Sequence, residues 1–218
     1  MNPQAIAAFG VAAVFAAGDW MSRAADATSV AWRRVEYVCK PATLAALVAA
    51  ALLLDPVHGA GDRRAWFVAA LVCSLAGDVL LMLPREQFVG GLAAFLVGHV
   101  CYIVGLWTRG PGVGWFVVAL VGVGVVIGAL ARRILPAAKA HDAALVGPVA
   151  AYMVVIGTMV ATAVATGNLL AAGGAVLFAG SDSMIAWDRF VGHFDAAAVL
   201  IMVTYHLGQA GLVCSLLR

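Results

Sequence analysis

Two aspartates, Asp78 and Asp182, lie inside long apolar stretches and are the residues of this sequence best suited to chemistry. An ionisable side chain inside a bilayer is costly, so it usually faces a cavity and takes part in catalysis or transport. The alternative is that each acid reaches a nearby interface or caps a helix, as Asp182 could do between two serines. Helix-forming apolar residues continue beyond both acids, which favours a functional role.

The composition is that of an integral membrane protein. Of the 218 residues, 64% are hydrophobic and 11% are charged, and the mean hydropathy is +1.02, whereas a soluble domain carries about 25% charged residues. The apolar runs are much longer than the roughly ten alternating residues of a barrel strand, so they predict an all-α fold. The net charge of +2 gives no indication of a nucleic-acid partner. The four cysteines lack Cys-x-x-Cys spacing and are interpreted as apolar packing residues.

The apolar runs predict a bundle of about eight transmembrane helices, in a single domain that spans residues 1–218. The predicted helices cover about 4–19, 37–54, 65–83, 88–107, 113–131, 146–165, 168–187 and 196–217. The connections between them are short and polar, and none is long enough for a soluble domain.

The basic residues indicate which face of the bundle is cytoplasmic. With the N-terminus outside, the basic residues at the inner ends are Arg23, Arg33, Arg34, Lys40, Arg85, Arg132, Arg133, Lys139 and Arg189. Those at the outer ends are Arg63, Arg64, Arg109 and Arg218. This bias predicts that both termini face outward, and a bacterial inner membrane is the expected location. Because predicted helices 3 and 7 run in the same direction, Asp78 and Asp182 are both expected about 6–8 Å below one membrane face.

The fourth and eighth predicted helices carry polar groups on defined faces. One stripe of the fourth helix is formed by Phe88, Gly91, Phe95, His99 and Tyr102. His99 lies near mid-membrane, where its ring nitrogens need partners, and a structural or a functional histidine would fit equally. On the eighth helix Tyr205 and Gln209 share a face, which indicates either interhelical hydrogen bonding or substrate contact. Tyr152 on the sixth helix is interpreted as a packing residue.

Lys40 and Pro41 are placed at the start of the second predicted helix, since proline suits the first helical position. A helix N-terminus carries partial positive charge and free amides, and a neighbouring lysine adds to its attraction for phosphate. The motif therefore predicts a phosphate site at the membrane face. A lysine that merely flanks the membrane on its inner side is the alternative.

The glycines of residues 122–128 superficially match a dinucleotide-binding loop. No strand is predicted before them and no soluble unit surrounds them, so a nucleotide site is excluded. Close packing against another helix is the expected reason for these glycines.

Two further functional classes fit the same polar residues. In a metal-dependent membrane hydrolase, Asp78, Asp182 and His99 would bind zinc, with His206 as a further ligand. In a proton-coupled lipid transporter, the two acids would relay protons. Both classes stay open as alternatives to an acid–base enzyme.

Five short motifs give the chain a resemblance to a known family. They are Lys40-Pro41-x-Thr43, Gly77-Asp78-x-x-Leu81, Gly91-x-x-x-Phe95-x-x-x-His99-x-x-Tyr102, Gly174-Ala-x-Leu-Phe178-x-x-Ser181-Asp182 and Thr204-Tyr205-x-x-x-Gln209. In this order they resemble the YhhN-like family of membrane proteins, which includes the lysoplasmalogenases related to the human TMEM86 proteins. The resemblance implies an eight-helix fold and a membrane lysophospholipid as substrate. It also implies hydrolysis of the vinyl ether bond of a lysoplasmalogen, to a fatty aldehyde and a glycerophospho-ethanolamine or -choline.

This reaction suggests roles for the polar residues. A proton delivered to the β-carbon creates an oxocarbenium-like cation that water attacks, as in glycosidases with two carboxyl groups. Two nearby carboxyls in a low-dielectric site should not both ionise, so Asp78 and Asp182 are expected to act as an acid–base pair. Lys40 would hold the phosphate, and no metal or cofactor is expected. The other residues expected to bind or orient the substrate are Ser181, His99, Tyr102, Tyr205 and Gln209.

Overall fold

The computed structural model describes residues 1–25, 29–54, 61–83 and 87–217, and all regular structure within these ranges is helical. The helices are α1 (Pro3–Ala24), α2 (Val30–Leu53), α3 (Gly61–Met82), α4 (Phe88–Trp107), α5 (Val113–His141), α6 (Val146–Ala165), α7 (Leu169–Phe190) and α8 (Ala197–Cys214). Short 3-10 turns extend α6 at its start and α8 at its end. Eight spans in these ranges are long and apolar enough to cross a membrane, which confirms the predicted all-α integral membrane fold. Arg85 and Arg218, used above for orientation, lie outside the described residues.

Several helices extend beyond the bounds that the hydropathy pattern predicts: α5 by ten residues at its end, α2 by seven at its start, and α1, α3 and α7 by three to five. Helix α2 begins at Val30, and Pro41 lies inside it, so the predicted helix start at Lys40 is wrong. Helix α7 continues to Phe190, three residues beyond its predicted end. Apolar runs report the part of a helix inside the bilayer core, whereas internal hydrogen bonds carry the helix further. Asp182 therefore lies about 12 Å from the end of its helix and Asp78 about 6 Å, whereas the predicted bounds place each of them five residues before its helix end.

Helices α3 and α4 pack closely along a row of glycines. Gly91, Gly98 and Gly105 recur every seven residues on α4, and a Cβ at any of them would lie 2.7–3.1 Å from atoms of α3. Small residues let transmembrane helices approach each other in this way. The contact fixes Asp78 of α3 and His99 of α4 relative to each other.

Helices α7 and α8 are in backbone contact. A Cβ on Gly174 would lie 2.7 Å from the amide nitrogen of Leu212, and one on Gly208 would lie 2.8 Å from that of Phe178. Backbone atoms cannot rotate aside as a side chain can. The crossing places Phe178 of α7 against Tyr205 of α8, with ring centroids 5.2 Å apart.

This contact can be tested with two neighbouring glycines. Gly174→Ala is expected to destabilise the bundle by about 1–3 kcal/mol, because the new methyl group overlaps the backbone of α8. Gly173→Ala has open space around it and is expected to equal or slightly exceed the parent in stability. Thermal unfolding in detergent measures both variants. Equal stabilities would contradict the close contact between α7 and α8.

Helix α5 is the least buried of the bundle. Within α5, all of whose residues are described, only Ile134 and Ala138 near its C-terminal end are buried. A Cβ at Gly122, Gly124 or Gly128 would meet nothing within 4 Å. The expected close helix packing at these glycines is therefore wrong, and this part of α5 borders open space.

Candidate active site

Asp78 lies at the centre of a buried cluster formed by α2, α3 and α8. Its side chain is 2% exposed. One carboxylate oxygen, Oδ1, is 3.0 Å from Lys40 Nζ, and the other, Oδ2, accepts the Tyr205 hydroxyl at 2.7 Å. Each oxygen therefore has a strong partner, and the negative charge is compensated within the protein.

Lys40 is not the helix-terminal phosphate group that the sequence suggests. It lies ten residues inside α2, so no free amides of a helix N-terminus surround it. Its side chain is buried and its ammonium group forms the ion pair with Asp78. Lys40 is thus placed to orient a carboxylate.

Asp182 belongs to a second cluster, formed by α4, α6 and α7. The Tyr152 hydroxyl donates to its Oδ2 at 2.5 Å, and His99 Nε2 is 3.1 Å from the same oxygen. His99 Nε2 is also 2.9 Å from the Tyr152 hydroxyl, so the three groups form a closed triangle. No hydrogen bond to Oδ1 is formed within the described part of the chain. Oδ2 is therefore fixed, while Oδ1 is available to another molecule.

An aromatic layer separates the two clusters. Phe178 lies between them, with its ring centroid 4.7 Å from that of His99 and 5.2 Å from that of Tyr205. Phe95 packs on the same Tyr205 ring at 5.9 Å. In the described residues no hydrogen bond joins the two carboxylates, and each has its own set of partners.

An apolar pocket opens beside Asp182. Its volume is about 60 Å³, and its walls come from α3 to α7. The polar side chains at its surface are Asp182, Tyr152 and Ser183, and the Ser183 hydroxyl donates to the Ala179 carbonyl. Asp78 does not line this pocket. An apolar group in the pocket would thus contact the Asp182 side chain.

Three of the predicted residues hold helices together and contact neither acid. The Ser181 hydroxyl donates to the Ile201 carbonyl of α8 at 3.0 Å. The Tyr102 hydroxyl donates to Gln209 Oε1 at 2.5 Å, which joins α4 to α8. Both bonds are the interhelical kind, so these residues support the site from outside it.

Tyr152 is the site residue that the sequence interpretation missed. It is buried, and its hydroxyl donates to Asp182. A hydroxyl buried in a membrane needs a hydrogen-bond partner, so a tyrosine inside an apolar helix already indicates a polar contact. The identity of that partner, however, depends on how α6 and α7 face each other.

The zinc alternative lacks its ligand set. In the described ranges no three His, Cys, Asp or Glu side chains are grouped closely enough to hold a metal ion. His206, the further ligand considered, accepts the Trp20 indole N–H through Nδ1 at 3.1 Å, on the α1 side of α8. Its position next to α1 removes it from the His99–Asp182 cluster.

Comparison with known proteins shows the family. The family model described as "YhhN family" matches residues 35–216, which include both clusters. The chain belongs to the YhhN family. One relative, from Mycobacterium tuberculosis, is named lysoplasmalogenase. It is 37% identical over 172 residues, covering 75% of this chain. Lysoplasmalogenase TMEM86B from Homo sapiens is 33% identical over 149 residues, covering 68% of this chain.

The matches cover only part of the length of each relative. The matched segments span 64% of the mycobacterial protein and 62% of the human one, less than two thirds of either. A YhhN-family relative from Escherichia coli, named uncharacterized membrane protein YhhN, is 35% identical over 86 residues, 39% of this chain and 38% of its own. No solved structure matches the chain.

Proposed function

We propose that this protein is a membrane-embedded hydrolase that cleaves the vinyl ether bond of lysoplasmalogens. The observation that carries the proposal is the Asp182 carboxyl group, which lines an apolar pocket and whose Oδ1 accepts no hydrogen bond from the described residues. The relatives named lysoplasmalogenase support the choice of substrate. A fatty chain suits the pocket walls, and a carboxyl group at its surface suits proton delivery to an alkene carbon.

Asp182 acts first as the acid and then as the base. Its proton passes to the β-carbon of the vinyl ether, the double-bond electrons form the new C–H bond, and the ether oxygen stabilises the cation on the α-carbon. Water adds to the α-carbon and returns a proton to Asp182. The resulting hemiacetal loses the glycerol oxygen, which takes up the hydroxyl proton, and the fatty aldehyde is formed. Tyr152 and His99 keep the carboxyl group in place through Oδ2.

Asp78 is the second carboxylate of the proposed pair and acts through charge. Lys40 and Tyr205 hold it rigidly behind the aromatic layer. Because Asp78 is paired with Lys40, it acts as the negative end of an oriented ion pair, the end bonded to Tyr205 of the aromatic layer, and in a low-dielectric region such a pair stabilises a cation on its negative side. Its effect on the rate is therefore smaller than that of Asp182, and Lys40 serves to orient it.

The protein is proposed to lie in a bacterial inner membrane with both termini outside. The distribution of basic residues supports this orientation. The C-terminal ends of α3 and α7, which follow the two acids, then face the cytoplasm. The substrate would be taken from the inner leaflet.

The proposed function is tested by the purified protein itself. With a lysoplasmenyl-ethanolamine phospholipid in detergent, release of a fatty aldehyde is expected. The saturated 1-alkyl analogue is the matched control and should yield none, because it has no double bond to protonate. Absence of aldehyde from the vinyl ether lipid would refute the proposal. Lipid movement across proteoliposomes without product formation would favour the transporter instead.

A further inference from the structure

Asp19 of α1 is a buried acid that the proposed reaction does not use. Its side chain is 0% exposed, and neither carboxylate oxygen accepts a hydrogen bond from the described residues. Arg23 Nε is 3.8 Å from Asp19 Oδ1, which is too far for a hydrogen bond, and its N–H also lacks an acceptor within these ranges. The guanidinium group donates through Nη2 to Glu36 instead, at 2.9 Å. A buried carboxyl group without hydrogen bonds is costly, so Asp19 requires a partner.

His206 of α8 carries an unmatched donor at its contact with α1. Its Nδ1 accepts the indole N–H of Trp20, the residue after Asp19, at 3.1 Å. An indole N–H can only donate, so the neutral imidazole carries its proton on Nε2. Nε2 is buried, and no residue in the described part of the chain accepts its hydrogen bond. His206 therefore requires an acceptor.

Helices α1 and α2 nearly touch beside these groups. A Cβ on Gly18 would lie 2.8 Å from Cys39 Sγ. Asp19 and Lys40 are the next residues along the two helices, and Lys40 is within electrostatic range of both Asp19 and His206. The three side chains therefore share one region between α1, α2 and α8.

Lys40 adds two donors to this region. An ammonium group has three N–H donors, and among the described residues only Asp78 accepts from that of Lys40. The unmatched groups are thus two donors of Lys40, one each of Arg23 and His206, and the two acceptor oxygens of Asp19. Buried polar groups are nearly always bonded to protein or to ordered water. Water both donates and accepts, and a buried water molecule makes about three hydrogen bonds.

We propose that Asp19, Arg23, Lys40 and His206 hold a small group of water molecules between α1, α2 and α8. The water donates to the Asp19 oxygens and accepts from the nitrogen groups of the other three residues. With its remaining N–H groups bonded to water, Lys40 keeps one N–H on Asp78.

This water site goes beyond the proposed hydrolysis. None of its residues lines the apolar pocket, and α1 precedes residues 35–216, the segment that the family model matches. The side chains of Arg23 and Glu36 are 22% and 24% exposed, so water can enter beside them. The site would exist whether or not the protein cleaves a lipid.

The test is X-ray hydroxyl-radical footprinting of the full chain in detergent. Radiolysis turns bound water into hydroxyl radicals, which oxidise the side chains that the water contacts, buried ones included. His206, at 3% exposure, is expected to be oxidised, whereas Met159, at 0% exposure in the apolar core, should not be. Methionine is the more readily oxidised of the two side chains, so Met159 is a stringent internal control. An unoxidised His206 in the parent protein would overturn the proposal.

Asp19→Leu removes the acceptor oxygens and fills their space with an apolar side chain. It leaves Arg23 and Lys40 with Glu36 and Asp78, two positive groups with two negative ones, so the bundle is expected to fold.

In Asp19→Leu, oxidation of His206 is expected to fall to the level of Met159. Asp19→Asn, whose amide still bonds to water, should retain it. Asp62→Leu, at an exposed aspartate of α3, is the matched control and should equal the parent. Undiminished oxidation of His206 in Asp19→Leu would overturn the proposal. If the leucine variant does not fold, the comparison of His206 with Met159 in the parent decides alone.

The outcome is independent of catalysis. Oxidised His206 in a protein that releases no aldehyde would support the water site and refute the hydrolase. Aldehyde release together with an unoxidised His206 would do the reverse.

Discussion

Asp182→Asn is expected to lower aldehyde release from a lysoplasmenyl phospholipid by about 10²- to 10⁴-fold. An amide has nearly the same shape as a carboxyl group, and its oxygen can still accept the Tyr152 hydroxyl at the Oδ2 position. What it cannot do is donate a proton to carbon and recover one from water. The fold should therefore survive, and the loss should appear in kcat. A fluorescent or chromogenic aldehyde assay under substrate saturation measures it.

The matched control for this variant is Asp188→Asn, on the same helix. Asp188 Oδ1 bonds to His193 near the end of α7, away from the apolar pocket. This variant is expected to turn over at nearly the parental rate. Near-parental turnover by Asp182→Asn, with the same elution profile as the parent, would remove Asp182 from the chemistry and the central assignment would fail.

Lys40→Met is expected to destabilise the protein by about 3–5 kcal/mol. The substitution leaves the buried Asp78 carboxylate without its counter-charge. Removing one partner of a buried ion pair costs far more stability than replacing both partners by uncharged residues. In the double variant with Asp78→Asn neither charge remains, so most of the stability should return. Aldehyde release by the double variant should stay about 10- to 100-fold below the parent, because the oriented ion pair of Asp78 and Lys40 is gone.

Thermal unfolding of the two single variants and the double variant gives the coupling between Lys40 and Asp78. Lys139→Met, at an exposed lysine of α5, is the matched control and should be close to the parent in both stability and turnover. Parental stability of Lys40→Met with a raised KM for the phospholipid would contradict the ion-pair role. That result would restore Lys40 as the phosphate ligand.

The number and type of the helices could be predicted from hydropathy, because only helices satisfy their own backbone across such long apolar runs. The bounds of α1, α2, α3, α5 and α7 could not, and α2 and α7 show why. Glu36 and Lys40 in α2, and Asp188 and Arg189 in α7, look like loop residues by polarity, yet internal hydrogen bonds and side-chain partners carry the helices through them. Glu36, for example, forms an ion pair with Arg23 of α1 at 2.9 Å.

The two candidate acids could be singled out in the sequence, because an aspartate within an apolar helix is conspicuous. Their partners could not be assigned, since partners depend on which faces of different helices meet. The spacing along α4 puts His99 on one stripe with Phe95 and Tyr102, but only the packing of α4 against α6 and α7 brings it to Tyr152 and Asp182. Phe178 belongs to one of the family motifs, but nothing in the sequence shows that its ring lies between the two clusters.

The exposed position of α5 affects how the products of the proposed reaction would part. Ile127 and Ile134 of α5 form one wall of the apolar pocket, and the helix is buried only near its C-terminal end. That wall therefore borders lipid, and the fatty aldehyde, which is uncharged, would dissolve sideways into the bilayer. The glycerophospho-alcohol, which is charged, would instead pass into water at the membrane face. Each turnover would deliver its two products to different phases, so neither would have to wait for the other to leave.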